Sequence, residues 1–356
     1  MIYNVFASKI INWYQKNKRP LPWREINNTY FIWLSEIILQ QTRVAQGLPY
    51  YERFIDAFPT IEKLALASEQ EVLALWQGLG YYSRARNLHK CAKEVVNRYG
   101  GTLPSSYGQL LKLPGIGPYT AAAIASLGFN EPVPVVDGNV YRVLARVFGI
   151  KENIADSKSF GLFFERSKEL IDKEKPGDYN QAVMELGATI CLPQNPTCME
   201  CPLEAMCYAN ERKMQAELPV KVKRIRKRDR FLTYLVFEAG DRLALRKREE
   251  NDIWKGLFEF YKLEGDELYS IDTLPDIELM SVLLKTKTTI KEEVRLPKHL
   301  LSHQTIFNSF IYVCVQPTQE MLSWMQQNNL ALYSRKEIEM LPKPVLITRY
   351  LNSVSK

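Results

Sequence analysis

Apolar positions along this chain change their rhythm near residue 212. Before it they recur three and four residues apart, as in "IWLSEIILQQTRVAQGLPYYERFI" (32–55), "TAAAIASLGF" (120–129) and "VYRVLARVFGI" (140–150). That spacing gathers them on one helix face and predicts many short helices. After it the spacing falls to two. "RFLTYLVFEAGDRLALRKR" (230–248) predicts two strands joined at Gly240-Asp241, and "HQTIFNSFIYVCVQP" (303–317) predicts another. A mainly helical domain, 1–211, is therefore expected ahead of a smaller α+β domain, 231–356. The length of 356 residues agrees, because it exceeds the size at which one core stops growing.

The stretch 212–230 between them, "RKMQAELPVKVKRIRKRDR", holds nine Lys or Arg against Glu217 and Asp229. That excess equals the whole net charge of +7, so the rest of the chain is formally neutral. With Pro219 and little periodicity it reads as a linker. It is either a solvated tether or a strand that follows phosphates. No run approaches the ~18 apolar residues of a membrane span. The N-terminal "MIYNVFASKIINWYQKNKRPLPW" lacks the apolar core and cleavage site of a secretory signal. An intracellular protein is expected, and disulfides are disfavoured.

Four of the six cysteines then stand out, in Cys191-x6-Cys198-x2-Cys201-x5-Cys207. Four thiolates can hold a tetrahedral zinc or a four-iron cluster. A zinc site usually closes with two short pairs, and here only Cys198 and Cys201 form one. The uneven outer gaps suit a wider cluster better. Upstream, "LLKLPGIGPYTAAAIASL" (110–127) reads as two helical segments around a tight turn at Gly115 and Gly117, with Pro118 opening the second helix. The turn is either a plain hairpin or a seat for a DNA phosphate at a helix N-terminus.

Two carboxylates have unusual settings. Asp137, in "PVPVVDGNVYRVLARVFG", precedes a helix that starts near Asn139. It is a helix cap, or an anion at a cleft mouth kept ionised by helix N–H groups. Glu36 sits among Ile32, Trp33, Leu39 and Gln40 on a helix. Either its head reaches water, or its pKa is raised and it works as a general acid.

Together "LPGIGPYTA", "VPVVDGN" and the cysteine spacing resemble the endonuclease III, or helix-hairpin-helix-GPD, superfamily of DNA glycosylases. "PLPWR…WLSEIILQQTRV" and "GLGYYSRARNLHK" are similar to its adenine DNA glycosylase (MutY-type) branch, and the likeness covers 20–210. The resemblance implies a [4Fe-4S] cluster on the loop 191–207 that shapes a DNA-facing surface. It implies that Glu36 protonates a flipped adenine at N7 and that Asp137 stabilises the oxocarbenium-like sugar. Trp23, Arg24 and Gln181 would line the adenine pocket. Gln41, Thr42, Leu79 and Tyr81 would meet the duplex at the lesion, and Gly115 and Gly117 its phosphates. Read without the family, Leu79 and Tyr81 are core candidates and Gln41 a surface amide.

The bifunctional branch carries Lys where this chain has Tyr119. A phenol cannot form a Schiff base, so base removal without strand cleavage is expected. Tyr119 could also steer the hydrolytic water or Asn139. The second domain resembles a Nudix fold without the G-x5-E-x7-R-E-x-x-E-E run, so pyrophosphate hydrolysis is not expected. In the MutY-type branch this domain reads 8-oxoguanine. "HLLSHQTIF" (299–307) matches its reading loop, with Ser302 and His303 as readers and Leu301 where the family usually has an aromatic. The implied partner is duplex DNA with an 8-oxoguanine:adenine or guanine:adenine mispair. The protein would act as a monomer, in the cytoplasm, with the nucleoid if the source is bacterial. Two other classes stay open: a bifunctional pyrimidine-lesion glycosylase/lyase, and a non-catalytic, metal-stapled DNA-binding protein.

Overall fold

The computed structural model describes residues 2–26, 28–222, 227–286 and 288–354. The chain divides into two compact units, 1–66 with 87–224 and 67–86 with 225–356.

The first unit is helical, as the spacing predicts. The long apolar stretch 32–55 is not one helix. It breaks into Thr29–Leu39 and Val44–Ala57, with Gln41 at a left-handed φ of 54° between them. One core packs the helices Ile2–Asn17, Gly138–Phe148, Ser159–Leu170 and Pro176–Thr189 through Phe6, Ile10, Val143, Leu144, Phe163, Tyr179 and Val183. The glycine hairpin forms as expected. Gly115 has φ +74°, a region that favours glycine, and Pro118 opens the helix Pro118–Phe129. A Cβ at Gly187 would lie 2.5 Å from the Cβ of Asn139 and 3.0 Å from its Cα. Glycine there lets the helix Pro176–Thr189 approach the start of Gly138–Phe148.

The expected linker is shorter than its composition suggests. Residues 208–212 form a short helix, and the chain then stays on the helical unit. Leu218 is 2% exposed and joins the core. Ile154 N–H donates to the Val220 carbonyl at 2.9 Å, and Val222 N–H to Asn153 Oδ1 at 2.9 Å. An apolar Leu and a paired backbone outweigh the surrounding charge. Lys223, Arg224 and Arg226 lie outside the described residues.

Among the described residues the second unit is built on seven strands: β1 (Arg228–Ala239), β2 (Arg242–Lys247), β3 (Phe258–Glu259), β4 (Tyr261–Gly265), β5 (Thr288–Leu300), β6 (Gln304–Val315) and β7 (Ala331–Ser334). β1 and β2 form the predicted hairpin, with Gly240 at φ +67°. β1 also runs parallel to β6, from Arg228 beside Gln304 to Glu238 beside Cys314. Both faces are covered. Leu235, Phe237, Ile311 and Val313 pack against Leu279, Met321 and Trp324, while Phe310 stacks on Tyr350 at 4.1 Å. Residues 67–86 belong with this unit because they bond to it. Lys343 N–H donates to Gln77 Oε1, and an Arg86 N–H to the Lys255 carbonyl at 2.6 Å. Among the described residues no helix is long and apolar enough to cross a membrane.

Candidate active site

Glu36 lies on Thr29–Leu39, whose neighbours Ile32, Trp33 and Ile37 are buried. Asn28 caps this helix by accepting from the N–H groups of Tyr30 and Phe31. Burial pushes the Glu36 carboxyl up to about 7, and the nearby charge of Asp137 adds to the rise. The Tyr119 hydroxyl opposes it, donating to Glu36 Oε2 at 2.6 Å. The same hydroxyl lies 3.8 Å from Met184 Sδ. Tyr119 thus bonds Glu36, a partner not anticipated beside the hydrolytic water or Asn139.

Asp137 caps the helix Gly138–Phe148. Its Oδ1 accepts from the backbone N–H of Asn139 at 2.9 Å and of Val140 at 2.8 Å, and Oδ2 accepts from the Asn139 amide at 2.8 Å. Burial nonetheless raises its pKa, against the pull of those bonds and of Arg142. The helix N–H groups expected to favour its ionised form do pull the pKa down, and burial works against them. Arg142 Nη2 donates to Asn139 Oδ1 at 2.9 Å and to the Gly187 carbonyl at 2.6 Å, while its Nε reaches the Cys191 carbonyl at 2.6 Å.

Trp23, Arg24 and Gln181 line one open cavity of about 340 Å³, with Asp178. Arg24 Nη2 pairs with Glu185 at 2.7 Å, and Arg19 pairs with the same carboxylate at 2.7 Å. These partners hold Glu185 down at about 2 although its side chain is 1% exposed. Tyr14 donates to Gln181 Oε1 and lies under the Arg24 guanidinium. Glu36 and Tyr119 are outside that cavity's lining; the charge of Arg24, which pulls the Glu36 pKa down, links the two groups.

Glu185, Arg19, Tyr14 and Met184 were not anticipated. Glu185 had a readable signal, since it sits between Val183 and Leu186 just as Glu36 sits among apolar residues. Arg19 and Tyr14 had none.

The four cysteines of 191–207 line one cavity with Val143, Leu186 and Ile190. Arg146, itself 2% exposed, donates to Cys191 Sγ at 3.3 Å and to the carbonyls of Leu192, Gln215 and Leu218. Gln215 Nε2 lies 3.9 Å from Cys198 Sγ. Among the described residues no three His, Cys, Asp or Glu are grouped so as to hold a single metal ion. Four soft donors around an apolar cavity, with N–H groups on two sulfurs, fit a thiolate-bound cluster.

The DNA-facing expectations divide. Tyr81 is 45% exposed, at φ +51°. Leu79 is 5% exposed and lies among the buried apolar residues. Gln41 is exposed, and Thr42 Oγ1 donates to the Gln40 carbonyl. In the second unit Tyr81, Trp254, His299, Ser302 and His303 line a cavity of about 720 Å³. The Tyr81 hydroxyl donates to Ser302 Oγ at 3.4 Å.

Comparison with known proteins follows this division. A family model for HhH-GPD superfamily base excision DNA repair proteins matches residues 34–167, and one for the NUDIX domain matches 233–353. Fold and site thus define a base-excision DNA repair protein of the HhH-GPD superfamily that carries a C-terminal Nudix-like domain. The chain is 34% identical to the adenine DNA glycosylase of Buchnera aphidicola subsp. Baizongia pistaciae, over 99% of this chain and 97% of that one. It belongs to the adenine DNA glycosylase family. The rat adenine DNA glycosylase is 46% identical over 60% of this chain, which is 43% of the rat protein's length. A thermostable thymine-DNA glycosylase superposes with a TM-score of 0.54 at 30% identity, over 59% of this chain and 97% of that one.

Proposed function

We propose that this chain removes adenine from 8-oxoguanine:adenine and guanine:adenine mispairs in duplex DNA, as a monofunctional glycosylase and a monomer. One observation carries the reading: Glu36, raised to about 7 by burial, shares a site with Asp137 at a helix N-terminus. This is the pairing of an acid with an anion that glycosidic cleavage needs. The mispaired adenine must first leave the stack, at a cost of a few kcal/mol. Protonated Glu36 then gives its proton to adenine N7, so that the base departs neutral. Asp137, held by the Asn139 and Val140 N–H groups, faces the positive charge that develops on the sugar. Trp23, Arg24 and Gln181 hold the base. Tyr119 supplies a hydroxyl and no amine, so water captures the sugar and the strand stays intact.

Cys191, Cys198, Cys201 and Cys207 would hold a [4Fe-4S] cluster. Such a cluster would staple the loop beside the helix that Asp137 caps. The hairpin Gly115–Gly117 and the exposed Gln41 and Tyr81 would meet the DNA backbone and the lesion. Ser302 and His303 would read 8-oxoguanine, and Leu301 would leave the usual aromatic packing unfilled. The cytoplasm is the expected compartment. Single-turnover excision on an 8-oxoguanine:adenine duplex tests the reading: free adenine and an intact abasic strand are expected. Efficient nicking would favour the lyase class, and binding without release of adenine the scaffold.

A further inference from the structure

We infer that Arg230 and Gln304 set the direction in which the Ser302 hydroxyl points its hydrogen, and so make it a donor to 8-oxoguanine. The inference deepens the reading of Ser302 above and rests on it. Arg230 lies on β1 and is 8% exposed. Its Nε and Nη2 grip Glu264 at 2.7 Å each, and Nη2 and Nη1 grip Asp252 at 3.0 and 3.1 Å. That engages four of its five N–H groups. The fifth, on Nη1, reaches Gln304 Oε1 at 3.1 Å.

A guanidinium cannot accept, so the Gln304 atom facing it must be the carbonyl oxygen. The amide nitrogen of Gln304 is thereby turned to His303 Nε2, at 2.8 Å. An amide nitrogen only donates, so Nε2 must be the unprotonated, accepting nitrogen. In a neutral ring the proton is then on Nδ1, which donates to Ser302 Oγ at 3.1 Å. Tyr81 also donates to that oxygen. With both lone pairs taken, the hydrogen of Ser302 is left free and faces outward.

The opposite tautomer would reverse this. A bare Nδ1 would accept from Ser302 and consume its only donor. The two bases differ in the right place. Guanine offers a bare N7 and a C8–H, whereas 8-oxoguanine offers N7–H and an O8 acceptor. A free Ser302 hydrogen finds O8 of 8-oxoguanine; on guanine it meets only the bare N7, so the hydroxyl makes one bond there and has no N–H to accept. When Tyr81 leaves its 3.4 Å bond for the duplex, the freed lone pair can take N7–H. One hydroxyl then matches both new groups. Gln304 and Arg230 touch no DNA in this scheme; they are positioning residues.

The full chain has three histidines, His89, His299 and His303, so the ring nitrogens can be assigned by nitrogen-15 NMR with a His303→Asn control. At pH 8.5 His303 should carry its ring proton on Nδ1. Free imidazole in a histidine side chain favours Nε2. Gln304→Met keeps the shape and removes the amide, so Nε2–H should return. The preference for excision opposite 8-oxoguanine over guanine should then fall about five- to tenfold, the scale of one hydrogen bond. Nε2–H in the wild type, or an undiminished preference in Gln304→Met, overturns the inference. Ser302→Ala separates it from the underlying reading. If that variant keeps the full preference, Ser302 is not the reader, whatever tautomer His303 adopts.

Discussion

The carboxyls of Glu36 and Glu185 titrate in opposite directions because they are given different partners. Both sit on helices among apolar side chains, and burial raises both. Two arginines reverse the effect at Glu185, while Glu36 receives one phenol hydrogen bond and the repulsion of Asp137. The consequences for stability have opposite signs. A folded pKa near 7 lies above the unfolded value, so Glu36 costs stability as pH rises from about 4.5 to 7. A folded pKa near 2 lies below it, so Glu185 adds stability above about 4.5 that is lost as pH falls towards 2. Urea midpoints across pH 3–8 should therefore show that Glu36→Gln removes the wild-type decline between pH 5 and 7. The same variant should lose at least ~100-fold in single-turnover excision, the scale of a missing general acid, while mismatch binding persists. Near-normal excision would remove Glu36 from the mechanism. Tyr119→Phe withdraws the bond that favours the ionised form, so the alkaline limb of the rate profile should move to higher pH. A limb that stays in place or moves down would mean that the phenol does not govern this carboxyl.

At the scale of elements, the helix Gly138–Phe148 joins two regions that are separate in sequence. Asp137 caps its start, while Arg142 and Arg146 along its length bond to the cysteine loop. Gly187 lets the neighbouring helix come close enough for this. Gly187→Ala should displace Asn139, slow excision at least ~10-fold and cost about 1–3 kcal/mol, the range for overpacking a buried site. Wild-type rates in a folded variant would show that Asn139 has room to give. Much of this architecture was legible beforehand, because helix and strand periods, the glycine turn and the cysteine spacing are all local patterns. What was not legible depended on partners far along the chain. The place of Arg19 beside Glu185, the parallel pairing of β1 with β6 and the membership of 67–86 in the second unit follow from tertiary contacts. No local spacing encodes them. The linker misled for a related reason: its charge is local, but the burial of Leu218 is not.

On the scale of the whole molecule, that docked segment decides where the chain can be cut to separate base removal from the proposed reading of 8-oxoguanine. Arg146 binds the carbonyls of Gln215 and Leu218, and Gln215 reaches towards Cys198, so residues 213–222 belong to the helical unit. A chain ending at Arg212 removes the Leu218 plug and the carbonyls that accept from Arg146 Nε and Nη2. It should be less stable than one ending at Val222 by about 2–5 kcal/mol, as for deleting a buried Leu. It should also show a weaker visible absorbance per chain if the cysteines hold an iron–sulfur cluster. Equal stability and equal absorbance in the two chains would return 213–222 to the role of a tether. The chain ending at Val222 should then still excise adenine opposite guanine, because Glu36, Asp137 and Tyr119 are all retained. It should lose its preference for 8-oxoguanine, because Ser302 and its positioning residues are gone. If the shorter chain discriminates as sharply as the full one, the reader lies in the helical unit. Removing charge from the full chain offers a last check. Neutralising Lys227 and Arg228 with Lys223, Arg224 and Arg226 should flatten the salt dependence of DNA binding, by close to one slope unit for each phosphate that is no longer neutralised. An unchanged slope would mean that these cations face solvent and that the duplex is gripped elsewhere.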